Sequence, residues 1–104
     1  MTIQFNTDHN ILGNEKLDTY LSSLLEKKLE RFSDLITRIE VHLSDENGEK
    51  EGLSDKRCML EARLEGRPPI AVTNDANTYE KAVSGAIDKL VSSLETKQGR
   101  MKNH

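Results

Sequence analysis

Hydrophobic and polar positions change period several times along the chain, and each change marks an element. From Thr2 to Thr7, Ile3 and Phe5 point one way and Gln4 and Asn6 the other, which predicts a short half-buried strand. Asn10 to Asn14 contains Gly13 and reads as a turn, with Asn14 a helix N-cap. Glu15 and Asp18 then fall in a first helical turn, where carboxylates suit the helix dipole. From Glu15 to Phe32 the apolar residues Leu17, Leu21, Leu24, Leu25, Leu29 and Phe32 follow spacings of 4, 3, 1, 4 and 3, a single helical stripe. Ile36 to Ser44 returns to period two, with Ile39, Val41 and Leu43 set against Arg38, Glu40 and His42. Lys56 to Glu65 alternates again: Cys58, Leu60, Ala62 and Leu64 inward, Arg57, Met59, Glu61, Arg63 and Glu65 outward. Gly66-Arg67-Pro68-Pro69 marks a turn or an edge irregularity, and Ile70 to Thr73 reads as a short edge strand. Asn74 or Asp75 is positioned to cap a last helix. Its stripe is Tyr79, Ala82, Val83, Ala86, Ile87, Leu90, Val91 and Leu94, and Gly99 is expected to end it.

The order is β-α-β-β-β-α. Both helical stripes are buried only if both helices pack on one face of a four-stranded sheet, which predicts an α+β two-layer sandwich with the other sheet face exposed. The length of 104 residues allows one domain. We assign residues 1–98 to it and read 99–104 as a basic polar tail. Apolar residues make up 35% and charged residues 32%, so the core is thin and a large buried catalytic cleft is not expected.

Net charge is −3, which by itself argues against nucleic acid as a partner. Its distribution changes the picture. The segment from Asp45 to Asp55 holds five acids and one Lys, and without it the chain carries 14 basic and 13 acidic residues. The last ten residues hold three basic groups and one acid. The chain is thus acidic in a central loop and basic at its end. The start has no basic region followed by an apolar stretch, and no apolar run approaches the ~18 residues of a membrane span, so a cytoplasmic protein without a leader is expected. The single cysteine fits a reducing compartment.

Candidate chemistry is sparse. Aligned to a calcium loop, Asp45, Asn47 and Glu49 take the first three ligand positions, but Lys50 stands where Gly is needed and Lys56 where a bidentate Glu is needed. His9, His42 and His104 lack metal-ligand spacing, so no metal site is assigned. Cys58 alternates with Leu60 and reads as a small buried hydrophobe, not a nucleophile. No glycine loop of the phosphate-cradling kind is present. An enzyme therefore has no supporting constellation. Lys27, Lys28 and Arg31 gather near the end of the first helix, and Lys97, Arg100 and Lys102 near the end of the second. With the helices side by side these groups share an outer surface, which reads either as a solvated face or as a phosphate-binding one. Phe5, Phe32, Tyr20 and Tyr79 read as core at least in part, which leaves no stacking platform for bases, so any RNA is expected to be held by backbone and shape.

The run Ala86-Ile87-Asp88-Lys89-Leu90, with Leu94 and the basic end after it, resembles the ribosome hibernation-promoting factor family, which includes the ribosome-associated inhibitor A proteins. The segment Glu26-Lys27-Lys28-Leu29-Glu30-Arg31-Phe32 is similar to the family's first helix, and Ile3-Gln4-Phe5-Asn6-Thr7 to its first strand. The resemblance implies a translation inhibitor that binds the small ribosomal subunit in stress or stationary phase and blocks the channel of mRNA and tRNA. It implies no catalysis, no cofactor and contacts from Lys and Arg to 16S rRNA phosphates; no small-molecule substrate and a monomeric free state are expected alongside. It places Lys28, Lys89, Arg100 and Lys102 at family basic positions, with Lys27, Arg31 and Lys97 as neighbours. Ser92, Thr96 and Gln98 stand where many members carry Lys or Arg, and the acidic loop is long, so fewer phosphate contacts are expected. The resemblance implies the short form, without the further domain of long members. The alternative, from another class, is a protein-interaction module on the same fold that has lost RNA binding and meets a regulator through the open sheet face, at Gln4, His42, Met59, Glu61 and Arg63, or through the acidic loop.

Overall fold

The structure, a computed structural model, describes residues 1–6, 15–45 and 55–102, with side chains for 1–6, 16–45 and 55–96. The elements are β1 (Thr2–Phe5), α1 (Glu15–Lys28), a 3-10 turn (Glu30–Phe32), β2 (Ile36–Asp45), β3 (Lys56–Leu64), β4 (Arg67–Ala76) and α2 (Tyr79–Lys102). The sheet order is β1-β2-β3-β4, the α+β order expected. β1 lies parallel to β2, which requires a crossover, and α1 lies in that connection. β2, β3 and β4 pair antiparallel in sequence.

The register stacks the inward residues in rows across the sheet. Ile39 faces Ala62, which faces Ile70; Val41 faces Leu60, which faces Val72; Leu43 faces Cys58. Against these rows pack Leu21, Leu25 and Leu29 from the α1 side and Ala82, Val83, Ala86, Ile87, Leu90 and Leu94 from α2. Each large apolar side chain removed from water contributes roughly 1.5–3 kcal/mol, so this single layer is the main source of stability. No polar or charged residue is buried among the described residues.

Four local features differ from the sequence reading. The Leu stripe continues to Phe32, but α1 ends at Lys28 and the chain tightens into the 3-10 turn. The Phe32 N–H donates to Leu29 O at 2.9 Å, and this winding puts the Phe32 ring in the core and Arg31 outside. β4 is a ten-residue edge strand instead of Ile70 to Thr73 alone. Its register slips between Ala62 and Leu64, opposite Pro68 and Pro69, and an edge strand needs no amide donors on its open side. Gly66 takes φ of 70° in the turn before it, a left-handed conformation that favours glycine.

The third difference is the cap of α2. Asn74 and Asp75 are used by the strand, opposite Cys58 and Arg57, and Thr78 caps instead: its Oγ1 accepts the Lys81 N–H at 3.1 Å. The fourth is the end of α2, which runs through Gly99 to Lys102. A helical glycine costs only about 1 kcal/mol against alanine, and no proline follows to force a stop. The Asn14 cap, His9, His104 and the loop acids from Glu46 to Glu51 lie outside the described residues.

Candidate functional site

The cations at the end of α1 come together as the sequence implies. Lys27 and Lys28 occupy its last turn, where positive charge meets the carbonyl end of the dipole. Both are exposed, and neither pairs with any described residue. Arg31 projects from the 3-10 turn with its guanidinium 4.7 Å from the centroid of the Phe32 ring. Its Nη2 donates to Glu95 Oε1 of α2 at 2.8 Å, with the two side chains 62% and 54% exposed. This pair ties the end of α1 to α2 while leaving both groups open to solvent.

Lys89 stands elsewhere. Its Nζ donates to Thr73 O of β4 at 2.7 Å, so it covers an open carbonyl of the edge strand. Next to it, the Arg57 guanidinium binds Asp75 at 2.8 Å and holds that carboxyl below its ordinary value, with a smaller contribution from Lys89. Lys89 and Glu95 are six residues apart, hence about 120° apart around α2 at 3.6 residues per turn. The described cations therefore line two flanks of α2, one toward α1 and one toward β4, with exposed Asp88 and Ser92 in the arc between. Lys97, Arg100 and Lys102 sit on the last turns of α2, and their side chains lie outside the described residues.

The open sheet face neutralises itself. Arg38 and Arg63 face each other in one row, and Glu40 and Glu61 in the next. Arg38 reaches Glu40 at 3.3 Å, and Arg63 reaches Glu61 at 3.0 Å and Glu40 at 3.6 Å. At the loop base, Lys56 Nζ bonds Asp45 at 2.8 Å and Asp55 at 3.3 Å, and Asp45 leads in holding its ammonium above the ordinary value. No cluster of metal-ligating side chains occurs among the described residues. Cys58 is fully covered, and burial pushes its thiol up to about 12, the wrong direction for a nucleophile.

Tyr20 corrects the sequence reading. It is 54% exposed, one of two exposed large apolar side chains in the described residues, the other being Met1. The signal was in the helical phase: Tyr20 precedes Leu21 by about 100° and so leaves the stripe of Leu17, Leu21, Leu24 and Leu25.

A family model described as "Sigma 54 modulation protein / S30EA ribosomal protein" matches residues 5–102. Two solved structures share the fold. A ribosomal subunit interface protein from Coxiella burnetii aligns with a TM-score of 0.72 and 22% identity, covering 95% of this chain and 99% of that one. The N-terminal domain of Protein Y from Thermus thermophilus aligns with a TM-score of 0.71 and 18% identity, covering 92% of this chain and 98% of that one. No curated protein matches the sequence. No helix in the described residues is long and apolar enough to cross a membrane.

Proposed function

The chain belongs to the Sigma 54 modulation protein / S30EA ribosomal protein family of ribosome-associated factors, and from that membership we propose that it binds the small ribosomal subunit and inhibits translation. The family match over residues 5–102 carries the reading, because it takes in every element of the fold from the end of β1 onward. The geometry adds a mechanism. Lys27 and Lys28 pair with none of the described residues at the end of α1, so among the described residues no ion pair has to break before rRNA phosphates meet them. Arg31 and Lys89 hold weak exposed contacts that a phosphate replaces. Lys97, Arg100 and Lys102 extend the cationic set along α2.

The protein acts by occupying space. Bound in the channel of mRNA and tRNA, a rigid sandwich excludes both without chemistry, cofactor or small-molecule substrate. It acts in the cytoplasm as a monomer before binding. Displacement of condensed counterions drives the affinity, which makes it steeply salt-dependent.

The test is co-sedimentation of the purified protein with small ribosomal subunits at about 50 and about 300 mM salt, a range over which phosphate-driven binding falls by orders of magnitude. Pelleting at low salt that fades at high salt, together with dose-dependent inhibition in a reconstituted translation reaction, is expected. Absence from the pellet at low salt refutes the reading.

A further inference from the structure

The outer face of α1 carries a line of side chains of which only Lys27 belongs to the cationic cluster described above. Lys16, Tyr20, Ser23 and Lys27 follow spacings of 4, 3 and 4, so they lie along one side of the helix, and all four are exposed. Lys16, Thr19, Tyr20 and Ser23 line a shallow depression of about 490 Å³. From Lys16 to Lys27 is eleven residues, roughly 16 Å along the axis at about 1.5 Å per residue. The stripe thus offers one aromatic face between two ammonium groups, with hydroxyls from Thr19 and Ser23 beside it and no acid among these five residues.

We infer that Tyr20 is a stacking platform for an unpaired nucleotide of ribosomal RNA, with Lys16 and Lys27 receiving the phosphates on either side. This rests on the ribosomal reading above and specifies a contact within it. The composition of the stripe chooses the occupant. A protein partner is held by a cluster of apolar side chains, and Tyr20 has no exposed large apolar neighbour on α1. A nucleotide needs one planar surface for its base and cations for its backbone, and that is what the stripe provides. Tyrosine suits the role because its ring stacks on any base while its hydroxyl stays in water.

The experiment measures affinity for small ribosomal subunits across a salt series with Tyr20→Leu, Tyr20→Phe and Lys16→Gln. Tyr20→Leu is expected to weaken binding on the order of ten-fold, the scale of one lost base stack, with the slope of log K against log salt unchanged. Tyr20→Phe keeps the ring and is expected to bind like the parent. Lys16→Gln is expected to lower the slope. Parental affinity of Tyr20→Leu overturns the inference and leaves the ribosomal reading standing, as does a Tyr20→Phe variant as weak as Tyr20→Leu.

If the parent does not bind subunits at all, the ribosomal reading falls, and a second measurement decides the stacking contact alone. The chain has two tyrosines and no tryptophan, so Tyr79→Phe leaves Tyr20 as the only emitter. Quenching of that emission by single-stranded oligouridylate supports the platform. Unchanged emission through the titration overturns it.

Discussion

Arg31 and Glu95 are bonded at 2.8 Å between the 3-10 turn that follows α1 and the C-terminal half of α2. The pair is exposed, so its net contribution to folding is small. Its effect on function is larger, because Glu95 competes with phosphate for the same guanidinium and repels the incoming RNA. Glu95→Gln is therefore expected to bind small subunits more tightly than the parent at low salt and to melt at nearly the same temperature. Weaker binding would show that the pair positions Arg31 for RNA instead of masking it.

Asn74 and Gly85 are fitted to one another where α2 crosses β4. Asn74 Nδ2 donates to Ala82 O at 3.1 Å, and a Cβ on residue 85 would collide with the same amide. Alanine is worth about 1 kcal/mol over glycine in a helix, so propensity alone predicts that Gly85→Ala stabilises. The collision predicts the opposite, since Asn74 must give up its bond and rearrange under the helix. We expect Gly85→Ala to lower the melting temperature, and Asn74→Ala to relieve much of that loss. The double-mutant cycle is expected to show coupling of roughly 0.5–3 kcal/mol, the range for residues in contact.

Ile87 is 1% exposed in the centre of the α2 stripe. Ile87→Asp places a carboxylate with no partner in the apolar layer, a change that costs several kcal/mol. Loss of the cooperative melting transition is expected, and a variant that melts like the parent would refute the helix register.

The parts of the fold legible in the sequence were those fixed by period. Alternation at Ile39, Val41 and Leu43 set the inward face of β2, and the stripe from Ala82 to Leu94 set that of α2. The parts misread were those fixed by competition between neighbours. Asn74 and Asp75 have the chemistry of caps, but their backbones complete the β3–β4 ladder, so Thr78 takes the role. Tyr20 has the chemistry of a core residue, but its phase carries it out of the stripe. The site divides in the same way. The cluster at Lys27, Lys28 and Arg31 is local and visible as a run, whereas the separation of Lys89 from it depends on which flank of α2 meets β4.

Lys89 tests the second flank. Its ammonium covers Thr73 O from outside and is exposed, so its replacement removes no core contact. Lys89→Glu combined with Arg100→Glu is expected to abolish ribosome binding while circular dichroism and the melting transition stay close to the parent. Unchanged binding would remove these two groups from the interface and leave the α1 end as the main contact.

Cys58 gives the protein a pH-dependent readout of its own core. In the folded state its thiol is pushed up to about 12 by burial alone, against an ordinary value of 9.0 when exposed. A group whose folded pKa lies above its unfolded one contributes stability that is complete below the unfolded value and is lost as pH rises toward the folded value. Stability linked to Cys58 is thus constant through neutral pH and declines between about 9 and about 12. Alkylation follows from the same burial, because the reactive thiolate forms only when the chain opens. Iodoacetamide at pH 8 is expected to modify Cys58 at a rate set by unfolding, rising with urea in step with the unfolding transition. Cys58→Ala is expected to flatten the alkaline part of the stability curve. Rapid labelling of the native protein would refute the sealed core.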